Sequence, residues 1–364
     1  MIIQEVINHL EEFAPLAYAE DFDNVGLLVG NKNNELTGIL VTLDTIEEVV
    51  DEAIQNNCNL IVSFHPIMFK GLKKITGKSY VERTVLKAIK NDIAIYAIHT
   101  ALDNAMEGVN DAICQQLELV NKQILIPQKQ TIKKLTTFVP VKEAEKLRMA
   151  LFNAGAGNIG NYTHCSFNSE GIGTFNGNEN SNPTKGAKGD IHKEQETQIT
   201  VTYVRHFESN ILKALFESHS YEEVAYEITT LENTNQHIGM GMIGELKNPM
   251  DEKHFLNFVK TKMNTPLIRH TSLLGKNIKK IAVLGGSGSF AIEAAKVSGA
   301  DAFITADLKY HDFFTAENQL LLLDIGHFES EQFTKNLLVA FLIKKITNFA
   351  VVLSKTNTNP VKYF

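Results

Sequence analysis

Two histidines are each followed four residues later by a carboxylate, directly after an apolar run that is typical of a buried strand. The first pair is His99 and Asp103. The second pair is His327 and Glu331. This spacing places both side chains on one face of a helix, or at a strand end and the turn after it, where they can converge on one ion. Because imidazole and carboxylate groups both bind divalent metals, the two pairs indicate a metal site.

The repetition of this pattern indicates two related halves of the chain. Both pairs are separated by 228 residues, from 99 to 327 and from 103 to 331. A shift of 242 residues also aligns 39–41 with 281–283 and 59–65 with 301–307, in a strand, helix, strand order. We interpret the match as an ancient duplication that builds one site from two lobes. The alternative is coincidence, because buried parallel strands share apolar patterns.

His65 is the third histidine at the end of an apolar run, in the sequence Ser63-Phe64-His65-Pro66. Proline is disfavoured inside a central strand, so Pro66 indicates that the strand ends here. Ligands of parallel α/β sheets bind at the carboxyl ends of strands. Taken alone, His65 would be read as a packed histidine. Together with the other two pairs, it is a candidate metal ligand.

Other residues follow predicted strands or turns and could line the same cleft. The glycine-rich loop Gly285–Ser289 precedes a predicted helix and could hold a phosphate with its backbone amides. A tight turn with close helix packing explains this loop equally well. The remaining candidates could reach the site or could act only in capping and at the surface: Asp21, Asp23, Asn24, Asp307, Tyr310 and His311.

Composition limits the class of protein. The chain has 364 residues, 44% of them hydrophobic, which is enough for a sizeable core and two or three domains. A net charge of −7 disfavours a nucleic-acid partner. No run approaches the roughly 20 apolar residues that span a membrane, and no leader peptide is predicted. Three scattered cysteines do not form a disulfide framework, so a cytoplasmic location is expected.

The apolar periodicity predicts two α/β lobes, residues 1–124 and 246–364, built on largely parallel sheets. In the first lobe, helices are predicted at 2–13, 46–57, 80–91 and 107–118, with strands at 26–30, 38–43, 60–64 and 93–98. In the second lobe, helices are predicted at 251–263, 288–298, 310–318 and 328–345, with strands at 279–284, 301–305, 320–325 and 349–354.

The segment between the lobes, residues 125–245, has a different order of elements. Strands are predicted at 135–139, 197–204 and 224–231, a hairpin at 163–168 and 171–175, and helices at 141–153 and 209–218. This order predicts an inserted ferredoxin-like (PII-like) α+β domain with one extra strand. Residues 176–189 are rich in Asn, Gly and Lys and are expected to form a mobile loop. The insert could gate the site, mediate assembly, bind an effector or serve only as a spacer.

Five segments of the two lobes and two of the insert form a recognisable set of motifs. They are Glu20–Leu27 (EDFDNVGL), Phe64–Phe69 (FHPIMF), His99–Asp103 (HTALD), Thr305–His311 (TADLKYH), Gly326–Glu331 (GHFESE), Gly155–Tyr162 (GAGNIGNY) and His219–Tyr226 (HSYEEVAY). Over the whole chain, the set resembles the NIF-three-like family in its long bacterial form. Members of that family often carry the name GTP cyclohydrolase 1 type 2 homologue.

The resemblance implies a dinuclear centre with up to two divalent ions per chain, of zinc, iron or manganese. It also implies a toroidal homohexamer whose sites face the interior cavity. Carried over to this sequence, it assigns metal binding to His65, Asp103, His327 and Glu331, and Glu331 would bridge the ions. His99 matches a motif position close to the ions.

One position departs from the family pattern. Many members have two histidines before the proline, whereas the first of these is Phe64 here. Phenylalanine has no ligand atom, so the second ion would lose one nitrogen ligand. This puts a two-metal mechanism in doubt more than metal binding itself.

The function expected from these features is a metal-dependent hydrolase, with a carboxylate or His99 as catalytic proton acceptor. The family name suggests GTP as the substrate, but nothing in this sequence reads a guanine, so the small-molecule substrate stays unknown. The alternative is a non-catalytic metal-handling or regulatory binding protein.

Overall fold

The computed structural model describes the whole chain, residues 1–364, and divides it into two compact units. Unit 1 combines Met1–Pro127 with Gln236–Phe364, and unit 2 consists of Gln128–Asn235. Both units contain helices and sheets, so the expected mixed α/β fold is confirmed. None of the helices has the length and apolar character needed to cross a membrane.

Helices and strands are numbered in chain order. The α-helices are α1 (Ile3–Phe13), α2 (Glu47–Gln55), α3 (Tyr80–Lys90), α4 (His99–Asp103), α5 (Val109–Gln116), α6 (Ala144–Asn153), α7 (Glu208–Ser218), α8 (Glu252–Lys262), α9 (Ile292–Val297), α10 (His327–Glu331) and α11 (Thr334–Lys345). The strands are β1 (Gly26–Val29), β2 (Ile39–Thr42), β3 (Leu60–Ser63), β4 (Ala94–Ala97), β5 (Val120–Pro127), β6 (Ile132–Pro140), β7 (Phe167–Asn176), β8 (Ile191–Val204), β9 (Tyr226–Thr230), β10 (Gly239–Asp251), β11 (Arg269–His270), β12 (Asn277–Ser287), β13 (Ala302–Ala306), β14 (Leu321–Asp324) and β15 (Val351–Leu353).

The first sheet of unit 1 has the strand order β1-β4-β3-β2-β15. Strands β4, β3, β2 and β15 are parallel, and β1 is antiparallel to β4. Every residue of β2, β3 and β4 is buried, as expected for parallel strands covered on both faces. The register pairs Thr42 with Ser63 and Ser63 with Ala97, so the carboxyl ends of the three strands lie side by side.

The second sheet of unit 1 has the order β11-β14-β13-β12-β10-β5. Its centre, β12 to β14, is parallel, and the outer strands β5, β10 and β11 are antiparallel. One hydrophobic cluster includes residues of both sheets, such as Tyr96 of β4 and Ile304 of β13, together with Phe64 and Phe255. The two halves of the chain in unit 1 therefore share a core.

Unit 2 has one four-stranded antiparallel sheet in the order β7-β8-β6-β9. Helices α6 and α7 contact each other, and both contribute to a core on one face of this sheet. That core contains Leu135 and Ile199 from the strands and Leu147 and Leu215 from the helices. Alternate residues of the same strands point to the opposite face of the sheet.

The predicted hairpin at 163–168 and 171–175 is wrong. Strand β7 runs without a turn from Phe167 to Asn176 and pairs along its whole length with β8. Gly171 indicated a turn, but it lies opposite Glu196 in an unbroken ladder. A glycine in a strand can also mark a place that needs free space, which the sequence pattern does not distinguish from a turn.

Several other elements differ from the sequence predictions. The predicted helix at 328–345 consists of α10 and α11, and the predicted helix at 310–318 is a 3-10 helix, Tyr310–Ala316. Strand β10 was missed, because its glycines and its polar stretch at 247–249 hide the strand pattern. Its pairing with β5 and β12 supplies the missing apolar partners.

Candidate metal centre

Ligand atoms of His65, His327 and Glu331 lie within 4.8 Å of one another and form a candidate metal-binding group. The Oε2 atom of Glu331 is 3.1 Å from Nε2 of His65 and 3.2 Å from Nε2 of His327. Glu331 is buried, whereas the imidazole of His327 is partly open to solvent. One carboxylate oxygen is therefore shared between two imidazole nitrogens from distant parts of the chain.

The first sheet positions its contribution by strand register. Asp44, His65 and His99 each come two residues after the end of β2, β3 and β4, respectively. Because these parallel strands are aligned at their carboxyl ends, the three polar side chains emerge at the same edge of the sheet.

Short helices position the other residues. His327 is the first residue of α10 and Glu331 is its last, so both face the same side at a spacing of four. The helix begins after Gly326, whose φ of 93° strongly disfavours residues with a side chain. His99 and Asp103 have the same relation in α4.

Aspartates fix the orientation of the two clustered histidines. Nδ1 of His65 lies 2.7 Å from Oδ1 of Asp44, and Nδ1 of His327 lies 2.6 Å from Oδ2 of Asp307. Nδ1–H donates to the carboxylate in each pair, so Nε2 is directed at Glu331. Carboxylate–imidazole pairs of this kind orient the histidines of metal sites.

His99 has the same type of partner. Its Nδ1 lies 2.9 Å from both carboxylate oxygens of Asp23, which also accepts a hydrogen bond from the backbone N–H of Thr100. The centroid of its ring is 5.2 Å from that of His65. Asp23 therefore belongs to the site, and its hydrogen bonds hold its pKa at about 2 although burial alone would raise it.

The carboxylates and imidazoles of the cluster stabilise each other's charged forms. Burial alone lowers the pKa of His65, but the Glu331 and Asp44 carboxylates raise it to about 10. His327 is likewise raised to a pKa of about 11 by Asp307 and Glu331, against the effect of burial. The two imidazoles hold the pKa of Glu331 at about 2, although burial alone would raise it.

Asp103 lines the same cavity, but it is outside the group of three mutually close ligand atoms. Burial and the charge of Glu331 raise the pKa of Asp103 well above its usual value. Its Oδ1 atom is buried and has no hydrogen-bond partner. A cation between Asp103 and Glu331 would stabilise both carboxylates.

Three buried atoms of the cluster lack hydrogen bonds: Nε2 of His65, Oε2 of Glu331 and Oδ1 of Asp103. The first two approach to 3.1 Å without the angles of a hydrogen bond. Buried polar atoms without partners are costly. A cation bound between His65 and Glu331 would satisfy the first two atoms, and a cation on Asp103 would satisfy the third. Nitrogen and carboxylate oxygen ligands fit zinc, iron or manganese. The residues present therefore fit a divalent metal.

Phe64 is fully buried, and its ring lies beside the cluster. Its centroid is 4.8 Å from that of His65 and 5.4 Å from that of His99, with the edge of one ring toward the face of the other in the second pair. The chain turns before Pro66, so adjacent residues 64 and 65 are both close to the site. Phe64 contributes apolar packing at a place where an imidazole would be near the ligands.

The cluster opens into a cavity of about 700 Å³. Acidic groups lie at its base, and a single guanidinium, that of Arg269, is among the lining residues. Six Phe and Tyr side chains are among its lining residues: Phe22, Phe69, Tyr80, Phe290, Phe328 and Tyr363. The size suits a small molecule with an apolar or planar part.

The glycine-rich end of β12 packs against the candidate ligands. The N–H of Gly285 donates to Oδ1 of Asn110, and the N–H of Gly286 donates to Oγ of Ser330. Both amides thus have protein partners, which favours the tight-turn interpretation over a phosphate site. A Cβ at Gly286 would lie 2.4 Å from Oε1 of Glu331, so this glycine makes room for the carboxylate.

The remaining sequence candidates have different positions. Tyr310 and His311 are exposed in the 3-10 helix and do not line the cavity, and Asp21 is exposed as well. Asn24 donates a side-chain hydrogen bond to the carbonyl of Met68. Among these candidates, only Asp23 and Asp307 contact the histidines of the site.

Sequence reasoning missed Asp44 and the C-terminal segment. Thr358 Oγ1 donates to Oδ2 of Asp44 at 2.7 Å, and Asn359 Nδ2 donates to Oε1 of Glu329 at 3.0 Å. Asp44 carried the same signal as His65, a polar residue after a buried parallel strand. No local pattern marks Thr358, whose contact spans more than 300 residues.

Comparisons with known proteins agree with this architecture. The family model described as Duf34/NIF3 (NGG1p interacting factor 3) matches residues 1–360. A Bacillus subtilis protein named GTP cyclohydrolase 1 type 2 homolog is 37% identical over 369 residues, which cover 99% of this chain and 98% of that protein. A Staphylococcus epidermidis protein with the same name is 36% identical and is covered completely, as is this chain.

Solved structures give the same result. A Bacillus cereus protein related to NIF3 superposes with a TM-score of 0.85 at 37% identity, covering 100% of this chain and 99% of that one. A Staphylococcus aureus protein superposes with a TM-score of 0.80 at 30% identity and the same coverage. These similarities confirm the resemblance that the sequence motifs indicated.

Proposed function

The chain belongs to the Duf34/NIF3 family, and on this premise we propose that it is a metal-dependent hydrolase with a dinuclear centre. The observation that carries the proposal is the convergence of His65, His327 and Glu331, with each imidazole oriented by an aspartate. In a histidine that serves only in packing, the second nitrogen would form a hydrogen bond or face solvent. Nε2 of His65 instead lies 3.1 Å from the buried carboxylate of Glu331 without hydrogen-bond geometry.

We assign one ion to His65, His327 and Glu331. Asp103 would bind the second ion, and Glu331 would bridge the two, because the unpartnered oxygens of both carboxylates are buried in the same cluster. Zinc, iron and manganese all suit these ligands. Phe64 removes one nitrogen ligand of the second ion, which should bind more weakly than the first.

A bound divalent cation would act as a Lewis acid that makes water nucleophilic near neutral pH. His99 is the proposed proton acceptor, because Asp23 engages its Nδ1 and leaves Nε2 available. The aromatic side chains of the cavity would bind the apolar or planar part of a substrate and exclude bulk water, whereas the guanidinium of Arg269 is paired with Asp324. The Bacillus subtilis relative is named for GTP, but none of these residues forms an evident guanine-reading set.

The experiment is a turnover screen with metal-loaded protein and a panel of nucleotides, phosphoesters and amides. We expect metal-dependent product release from at least one class, together with its loss in the Glu331→Gln variant. His99→Ala should retain metal better than Glu331→Gln and yet lose turnover. Stoichiometric, exchangeable metal without turnover across the panel would instead favour a metal-handling or regulatory binding protein.

Finer features of the architecture are also proposals. A duplication is supported by the matching orders of parallel strands, β2-β3-β4 and β12-β13-β14. It is also supported by equivalent hydrogen bonds to the neighbouring strand: Ser63 Oγ donates to the carbonyl of Leu43, and Thr305 Oγ1 donates to the carbonyl of Gly286. A ferredoxin-like insert is supported by the βαββαβ order and the antiparallel sheet of unit 2. The division into 1–124, 125–245 and 246–364, the homohexamer and the cytoplasmic location stay predictions.

A further inference from the structure

Unit 2 contains a second cavity, of about 610 Å³. None of its lining residues belongs to the candidate metal centre. Its floor is the sheet face opposite the helices. Phe138 of β6 and Glu196 of β8 are on this face, because Val139 and Ile199 of the same strands point into the helical core. Gly171 of β7 lies directly opposite Glu196 and completes the floor.

The walls come from two connecting segments that contact each other. The loop 177–190 folds over the sheet, where the N–H of Asn182 donates to Oε2 of Glu222 at 2.6 Å. Thr184 Oγ1 donates to the carbonyl of Ser220 at 2.9 Å. These hydrogen bonds join the loop to residues 219–225 and enclose the space between them.

Glu196 is the central polar group of this cavity. Only 9% of the residue is exposed, and its Oε1 accepts a hydrogen bond of 2.7 Å from the hydroxyl of Tyr221. The other oxygen, Oε2, has no protein donor among the hydrogen bonds of the structure. A Cβ at Gly173 would lie 2.0 Å from this Oε2, so the strand leaves room for the carboxylate. A buried carboxylate with a free oxygen favours a donor from outside the protein.

The rest of the lining favours a cation with an apolar part. The side chains that face this cavity include three carboxylates, those of Glu196, Glu222 and Glu223, and one ammonium, that of Lys185. Three aromatic rings also line it: Phe138, Phe175 and Tyr221. Aromatic faces attract cations, and carboxylates bind amidinium or ammonium groups through charge-assisted hydrogen bonds.

We propose that this cavity binds a small organic cation, with its positive nitrogen on Oε2 of Glu196 and its apolar part between Phe138 and Phe175. The site is separate from the proposed hydrolase centre, and its function does not depend on that proposal. Gly171 and Gly173 have distinct roles in it: Gly173 accommodates Glu196, whereas Gly171 faces open space, with no atom within 4 Å of the position that a Cβ would occupy.

The test uses three ring compounds of nearly the same shape and different charge: benzamidine (+1), benzamide (0) and benzoate (−1). Binding to the full chain is measured by ligand-detected NMR and calorimetry. We expect benzamidine to bind, benzamide to bind at least about tenfold more weakly, and benzoate not to bind. Equal binding of all three, or no binding of benzamidine at millimolar concentration, would overturn the proposal.

Two variants and a matched control locate the binding site. Glu196→Gln keeps the shape of the side chain and should reduce benzamidine affinity by about tenfold or more. Gly171→Leu should fill the cavity and abolish binding, because an extended glycine with open space tolerates a side chain. Glu217→Gln removes the same charge from an exposed residue outside this cavity and should leave binding unchanged.

Folding of the variants is checked separately by circular dichroism and by metal content, which depends on unit 1. A folded Gly171→Leu variant with normal benzamidine binding would place the ligand elsewhere and overturn the proposal. Loss of binding in Glu217→Gln to the same extent as in Glu196→Gln would show a general charge effect and overturn it as well.

Discussion

At the scale of single residues, the contacts of Nε2 in each histidine distinguish the candidate metal ligands from their neighbours. His65 and His327 use Nδ1 for an aspartate and direct Nε2 at the same oxygen of Glu331. His99 also engages an aspartate, but it is outside the group of three ligand atoms. Glu331 and His99 should therefore respond differently to substitution.

We expect Glu331→Gln to lose most of the bound metal, because it removes the anionic oxygen that both imidazoles share. His99→Ala should lower metal affinity less, by about 10- to 100-fold, as is typical of groups around the ligands. Elemental analysis of the purified proteins measures the difference. The control is Glu252→Gln, a buried glutamate that caps the loop at Leu274 and Gly275 and does not line the metal cavity. Equal metal content in Glu331→Gln and wild type would exclude Glu331 as a ligand.

Phe64→His should raise metal stoichiometry, because its ring lies beside His65 and His99. The wild type should bind fewer than two ions per chain at limiting metal, and the variant should approach two. Titration with zinc or manganese measures this, with Phe64→Leu as a control that changes the packing and adds no ligand. Identical stoichiometry and affinity in all three proteins would mean that Phe64 serves only in packing.

At the scale of elements, the glycine-rich end of β12 determines where α10 can place the carboxylate of Glu331. Gly286 has a φ of 67°, and the space beside it contains Oε1 of Glu331. Any side chain at this position therefore competes with a proposed ligand in addition to straining the backbone.

We expect Gly286→Ala to lose metal and stability together. The left-handed backbone costs an alanine about 1–2 kcal/mol, and the Cβ would displace Glu331. Gly299→Ala is the matched control, since Gly299 has a φ of 73° but no atom within 4 Å of a Cβ. The Gly299→Ala control should lose stability to the same extent, measured by thermal unfolding, and should keep its normal metal content, measured by elemental analysis. Equal metal loss in both variants would contradict the role assigned to Gly286.

How far the sequence could predict the site depended on the range of the interaction. The pair His327 and Glu331 was readable because a helix repeats every 3.6 residues, and α10 places both on one face. Asp23 and Asp307 were noticed as candidates, but their contacts with histidines require the tertiary fold. The contact between Asp44 and His65 depends on the register of β2 against β3, and no local sequence pattern contains that register.

The same limit applies to the elements. Buried parallel strands such as β3 and β4 were found, because they are short apolar runs between helices. Strand β10 was missed and β7 was divided by a false turn, since glycines in both look like breaks in the sequence. In β7 the glycines leave space for Glu196 and for the cavity of unit 2, a tertiary reason.

At the scale of the whole molecule, the family resemblance predicts a homohexamer. We expect light scattering of the purified protein to give about six times the 40.5 kDa mass of one chain. The mass should be independent of concentration over the micromolar range, as for a stable closed assembly. A monomer or dimer mass under these conditions would contradict this prediction.

The strands that flank unit 2 have a consequence for how this chain could have arisen. Pro127 at the end of β5 is paired with Gly239 at the start of β10, so the backbone leaves and re-enters unit 1 at adjacent points. A short hairpin could join the same two ends. Loop-closure entropy rises by about 0.6 kcal/mol for each doubling of loop length, so replacing a hairpin of about four residues with residues 128–235 costs unit 1 about 3 kcal/mol. Unit 2 could thus have been gained, lost or exchanged in a single genetic event that left the fold of unit 1 intact.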